Sequence, residues 1–250
     1  SLDQAGVRYR VFDGVVADPP VAVVEAALAE ARAANIDGVI GFGGGSSMDV
    51  AKLIALLIGG DENLEDVYGV GQAKGQRLPL IQIPTTAGTG SEVTPISIIT
   101  VGETEKKGVV APQLLPDIAL LDAELTLGLP APVTAATGID AMVHAIESYT
   151  SASANNNPVS RSLAREALRL VAFFTSHTAS PMPWYCHMSC GLTPALAARP
   201  TPSWQWTPFQ TWPPYPKNSE LTHSLTAWKR SAQTLDSSKL CGKLALVNPI

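Results

Sequence analysis

Ile36 to Phe42, IDGVIGF, is largely apolar, shows no in–out alternation, and runs directly into Gly43-Gly44-Gly45-Ser46. A strand with one wet face alternates; a run like this fits a parallel strand covered on both sides. Ser47 to about Ile58 then reads as a helix, so the glycines sit between a buried strand and a helix N-terminus. Glycines there let the backbone approach an anion, and the free helix N–H groups with Ser46 can hold it. The bland alternative is a tight turn closed by a cap, since Ser46 with Asp49 three residues on spells a capping box. The stretch departs from the standard dinucleotide fingerprint, with serine where the third glycine belongs and no acid at the right distance. Lys52 is misplaced for a P-loop.

The same pattern recurs along the first half. Residues 9–12 (YRVF) form a short strand ended by Asp13-Gly14. Asp18 ahead of Pro19 and Pro20 suggests an N-cap for a helix over Val21–Ala33, with Val24, Leu28 and Ala31 turned inward. Leu80–Ile83 is a second buried strand, and Pro84–Ser91 after it is a loop rich in threonine and glycine. Thr85, Thr86 and Thr89 there offer hydroxyls to phosphate or ribose, or they line an ordinary polar loop. Val93–Thr100 should be extended, Glu103–Gly108 a polar turn, and Ile118–Leu121 a short strand ending in Asp122. Strands alternating with helices and glycine loops predict a mostly parallel, doubly wound sheet. Ligands of such sheets bind beyond the carboxyl ends of the strands, where both loops fall.

From Leu129 the period changes. Pro132 can start a helix, and Val133, Ala136, Ile139, Val143 and Ile146 recur at three- and four-residue steps. Asp140 and His144 are four apart on that helix and share a face. They are either two ligands of one metal ion or a buried hydrogen-bonded pair. Glu147 is an outer acceptor for His144 or a solvated residue. Asn155–Pro158 breaks the helix, and a second amphipathic one follows through Leu163, Ala167 and Leu170.

Near residue 172 the character of the chain shifts. All five tryptophans, all three cysteines and ten of the twenty prolines lie beyond it, where the net charge is +4 against -9 before it. The prolines leave no room for a long helix or an ordinary central strand, and the stretch is expected to stand outside the fold as an irregular tail. Cys186-His187-x-x-Cys190 resembles part of a zinc knuckle or a reactive thiol pair, but there is no second pair at metal spacing. Net charge of -5 gives no reason to expect nucleic acid, and no apolar run reaches membrane-spanning length.

Taken in order, GGGSSMDVAK at 43–52, IPTTAGTGSE at 83–92, KKGVV at 106–110, LLPDIALLD at 114–122 and LPAPVTAATGIDAMVHAIESY at 129–149 resemble the iron-containing (group III) alcohol dehydrogenase family. The resemblance covers roughly residues 8–171. It implies a Rossmann-like nucleotide-binding domain over 1–124 (lacking its first strand), the start of an all-helical metal-binding domain over 125–171, and a non-matching tail over 172–250. It also implies NAD or NADP, a divalent metal (iron more often than zinc), a small alcohol or carbonyl substrate, and often a homo-oligomer. Gly43, Gly44, Gly45, Ser46 and Asp49 match the pyrophosphate-binding turn. Thr85, Thr86, Thr89 and Gly90 match the loop around the phosphates and nicotinamide, and Lys107 matches a lysine that contacts the cofactor. Asp140 and His144 match the first two metal ligands, the groups through which such an enzyme activates the hydroxyl. Two further histidine ligands are expected from later helices, and the neighbours of His177, His187 and His223 match neither. These departures predict a chain with little or no dehydrogenase activity. The alternatives are a non-catalytic nucleotide-binding fragment and a metal-dependent lyase of the dehydroquinate synthase type. A cytoplasmic location is expected, or a mitochondrial one if a targeting segment is missing.

Overall fold

The computed structural model describes residues 2, 6–60, 62–178 and 243–248, with side chains described as far as Val171. At its centre, β2 (Gly38–Gly43) and β4 (Leu80–Pro84) pair in parallel, Val39 opposite Leu80 and Gly43 opposite Pro84. β7 (Ile118–Ala119) adds in parallel beyond β4. Val39 packs toward one core and Ile40 and Phe42 toward another that includes Ile83 and Leu125. Burial on both faces explains why the run does not alternate.

The larger core lies between this sheet and two helices. α1 (Val21–Ala34) buries Val24, Ala27, Leu28 and Ala31. α2 (Gly45–Gly59) is buried nearly all round, with every residue from Val50 to Leu56 fully inaccessible. A helix that is apolar on every side belongs in the middle of a domain. Gly41 is needed where α2 crosses β2: a Cβ there would lie 2.8 Å from that of Ala51 and 2.4 Å from the Gln82 amide oxygen.

Both expected caps differ. Asp18 is not the N-cap of α1; Pro20 holds that position without a side-chain bond. Asp18 instead takes φ 51° and pairs with Lys106, while its carbonyl accepts from Thr100. The capping box at Ser46 is absent as well, because α2 starts two residues earlier, with Gly44 as its N-cap, and has no side-chain cap. Residues 103–108 are more than a turn. β5 (Ile96–Val101) and β6 (Glu105–Val110) form an antiparallel hairpin reversed at Gly102, φ 62°, and β3 (Gly69–Val70) joins it as a second sheet.

Asp117 ties β4 to β7. It accepts two bonds from Arg77, at 2.7 and 2.8 Å, and one from the Leu80 N–H at 2.8 Å. The Arg77 bonds hold this carboxyl below its ordinary value of 3.8. A lowered folded-state pKa gives stability that is complete above pH 3.8 and lost as pH falls through the lowered value. Half of the Asp117 side chain is exposed, so solvent screens the pair, and Asp117→Asn should cost about 0.5–1 kcal/mol at about pH 7. Thermal melts should show the gap from the unaltered chain closing as pH drops below 3.8; a gap independent of pH would refute the assignment.

The helical part follows as α3 (Ala131–Thr150) and α4 (Pro158–Thr178), packed on each other. Arg165 donates to the Tyr149 hydroxyl across that contact at 3.3 Å and holds the phenol below its usual range. The faces expected to be buried are not. Met142, Ala145 and Ala164 are buried, while Val133, Ile139, Val143, Leu163 and Leu170 are exposed. The amphipathic period is real, but among the described residues only one flank of each helix has something to bury against.

Most of the tail lies outside the described residues, including the Cys186–Cys190 stretch, His187, His223 and all the tryptophans. Two parts of it belong to the fold, against expectation. α4 continues past Val171 to Thr178, and β8 (Lys243–Asn248) is inserted between β1 (Arg8–Phe12) and β2, antiparallel to both. The large sheet thus runs β1-β8-β2-β4-β7. LALVN is an apolar strand sequence downstream of the proline cluster, and the proline argument did not reach it. Among the described residues no helix is long and apolar enough to cross a membrane.

Candidate cofactor cleft and metal pair

The two loops singled out by sequence meet at one edge of the sheet. β2 and β4 end side by side, and the Thr85 N–H donates to the Gly43 carbonyl at 2.9 Å. The first helical bond of α2 runs from Met48 N–H to Gly44 C=O, so the N–H groups of Gly45, Ser46 and Ser47 have no partner within the helix. Opposite them stands Thr86, whose hydroxyl oxygen is buried and without a hydrogen bond. A Cβ on Gly44 would lie 3.4 Å from the Thr86 methyl and 3.7 Å from its hydroxyl, and one on Gly45 3.1 Å from the Thr89 methyl. Unpaired donors of a helix end and an orphaned hydroxyl therefore share one small gap. This chemistry suits an anion with oxygen on several sides, such as a pyrophosphate.

Asp140 and His144 lie on α3, with Asp140 Oδ1 3.8 Å from His144 Nε2 and about half of each side chain exposed. That is too long for a hydrogen bond, which removes the buried-pair reading. Two donors each ~2.1 Å from a common ion lie within roughly 4.2 Å of each other, so the pair meets the geometric condition for sharing one. Gly88 brings this helix to the threonine loop. A Cβ at residue 88 would be 2.2 Å from the Thr137 carbonyl oxygen, so the loop backbone rests directly on α3 less than one turn before Asp140. Among the described residues no group of three or more histidine, cysteine or acidic side chains converges. Within the described residues the donor set is two, half of what a closed metal centre uses.

Comparison with known proteins identifies the family. Residues 1–123 match the iron-containing alcohol dehydrogenase family, and residues 134–178 match the C-terminal domain of the same family. The chain belongs to the iron-containing alcohol dehydrogenase family. It is 46% identical over 174 residues to long-chain-alcohol dehydrogenase 1 of Geobacillus thermodenitrificans, covering 68% of this chain and 43% of that protein. It is 38% identical over 174 residues to sulfoacetaldehyde reductase of Bilophila wadsworthia, covering 68% and 44%. Among solved structures, an alcohol dehydrogenase from Oenococcus oeni superposes with a TM-score of 0.63 at 32% identity, covering 67% of this chain and 44% of that one. An iron-containing alcohol dehydrogenase from Thermotoga maritima does so at 0.61 with 40% identity, covering 66% and 45%. The chain thus spans less than half the length of these relatives.

Two residues matched by family resemblance are otherwise engaged. Asp49 accepts from the Ser91 hydroxyl at 2.6 Å, the Ile98 N–H at 3.0 Å and Lys52 at 3.5 Å. Lys107 sits on β6 with its ammonium 5.3 Å from the Tyr68 ring centroid and 4.0 Å from Glu105. Gly90 takes φ 64° and reverses the chain into the short helix Ser91–Val93. Ser46 is the second residue of α2, half-buried at the turn.

Sequence reasoning passed over the buried cluster behind the cleft. Lys52 is completely inaccessible, and its ammonium donates to Ser91 Oγ at 2.8 Å, the Ile96 carbonyl at 2.7 Å and Thr94 Oγ1 at 3.3 Å. Burial pushes the Lys52 pKa down and that of Asp49 up, against their mutual attraction. The signal was available: a lone lysine inside VAKLIALLI has no polar face to occupy and must find partners indoors.

Proposed function

We propose that residues 1–178 build the cofactor cradle and half of the metal seat of an NAD(P)-dependent oxidoreductase acting on small alcohols or their aldehydes and ketones. We further propose that this chain binds the dinucleotide but turns over little or no substrate. The observation that carries the reading is the Thr86 hydroxyl, buried and unpartnered beside Gly44 and the open N-terminus of α2. The N–H groups of Gly45 to Ser47 would hold the pyrophosphate, and Thr86 would donate to one of its oxygens. Thr85, Thr89 and Gly90 would shape the wall that leads toward α3 and keep water from the reacting carbon. When bound, NAD(P) supplies the hydride acceptor for oxidation of the alcohol. Asp140 and His144 are the residues that would hold a divalent ion, iron by family and zinc as its substitute. With two donors, no step through that ion is assigned to this chain. The relatives' names span long-chain alcohols and sulfoacetaldehyde, so we assign the substrate only as an alcohol–carbonyl pair.

A purely nucleotide-binding role is the second reading, favoured by the two-donor set found among the described residues. The lyase alternative has no support, because both family matches are to alcohol dehydrogenases.

Titration calorimetry with NAD and NADP tests the cradle. Gly44 has φ -81°, and an added methyl would meet its neighbours at ordinary contact distance, so Gly44→Ala should fold and melt like the unaltered chain. The methyl projects into the gap between turn and threonine, and nucleotide affinity should fall by a factor on the order of ten or more. No saturable heat with the unaltered chain, or equal affinity in the variant, refutes the reading. Alcohol-dependent NAD(P)H production in the presence of iron or zinc would refute the inactivity.

A further inference from the structure

Lys52 and Asp49 stand one to two turns inside α2, and all their outside partners lie on residues 91–98, the strap that follows the threonine loop. The Lys52 ammonium reaches Ser91 Oγ, Thr94 Oγ1 and the Ile96 carbonyl. Asp49 takes bonds from the Ser91 hydroxyl and the Ile98 N–H, and its own carbonyl accepts from Ser97 Oγ at 2.9 Å. These bonds tie the helix that carries the glycine turn to the far end of the threonine loop. The near end is already fixed by the Thr85–Gly43 backbone bond.

We infer that Lys52 is a positioning residue: its clamp on Ser91, Thr94 and Ile96 sets the width of the gap between the glycine turn and the threonine loop. This rests on the nucleotide-binding reading above. An apolar side chain of the same length would fill the space without the cost of burying a charge. A lysine adds directed bonds to three separate points of the strap, which an apolar residue cannot hold in register. A Cβ on Gly45 would lie 3.1 Å from the Thr89 methyl, so the loop stands close to the turn, and a small shift of the strap changes the distance between the two surfaces that a dinucleotide must touch together.

The test uses the full chain, with Lys52→Met and the double variant Asp49→Asn/Lys52→Met, which leaves no unpaired charge indoors. Circular dichroism checks the fold, and calorimetry with NAD and with AMP reads the gap. AMP, with a single phosphate, needs only the glycine-turn side, whereas the pyrophosphate of NAD needs both surfaces. In a folded variant, NAD affinity should fall about tenfold while AMP affinity stays within roughly twofold. A lysine serving stability alone would lower both equally, in step with the folded fraction. Equal loss, or no loss, in a folded double variant overturns the inference, and so does unfolding of both variants, because the clamp would then hold the fold and not the gap. Absence of NAD binding by the unaltered chain overturns the nucleotide reading and this inference together.

Discussion

Gly59→Ala should destabilise the protein more than the same change at Gly44 or Gly88. Gly59 ends α2 where the chain from Gln76 to Leu78 crosses it, and a Cβ there would lie 2.6 to 2.7 Å from three backbone atoms of that segment. Backbone atoms cannot rotate aside as a side-chain tip can. The crossing is itself bonded, since the Leu78 N–H donates to the Ala55 carbonyl at 2.9 Å. Relief therefore requires moving either the most buried helix or the segment that leads into β4. Overpacking of this kind costs roughly 3 kcal/mol. In a protein of this size that lowers the melting temperature by about 6–12 °C. A melt within a degree or two of the unaltered chain would mean that the two segments are not packed as described.

Gly88→Ala should act differently, through displacement. The added methyl would fall 2.2 Å from the Thr137 carbonyl oxygen and 2.8 Å from its carbon and Cβ. Here one partner can give way. Among the described residues, the side-chain hydrogen bonds and ion pairs of α3 and α4 stay within the helical part or its short lead-in. Among the described residues, the contact at Gly88 is the one the substitution strains. A penalty of about 2 kcal/mol would go into lifting α3 off the loop, shifting the docked population roughly thirtyfold. Hydrogen exchange should speed up over residues 131–150 while α2 keeps its protection. Asp140 and His144 would then separate from the glycine turn and threonine loop without any change to themselves. Unchanged exchange in α3 would show that the loop and helix do not touch.

These two glycines mark the limit of what could be read from sequence. The strand–glycine–helix units at 38–59 and 80–93 were legible because apolar runs and glycine turns are local signals. The same holds for the helix that carries Asp140 and His144. What Gly59 and Gly88 do is not local, since each is shaped by a segment that sequence spacing does not connect to it. The misassigned cap at Ser46 has a similar cause. Asp49 looked like a partner for a helix end three residues away, but strap residues more than forty positions on hold its carboxylate. The exposed Ile139 and Val143 show the converse: periodicity identified the apolar face of α3 but could not say whether anything would cover it. β8 was hidden by its surroundings, because a six-residue strand within a proline-rich and tryptophan-rich stretch carries no strong signal of its own.

The placement of β8 bears on how the chain acquires its shape. A strand in the interior of the sheet whose register sets Gly38 against Val247 closes a loop of more than two hundred residues. On the ribosome, β1 and β2 emerge early and must wait for that partner with two hydrogen-bonding edges open toward each other. Such distant pairing makes for slow maturation. During the interval any extended peptide, including one from a neighbouring nascent copy, can lodge between those edges, so cellular yield should depend on chaperone capacity more than on final stability.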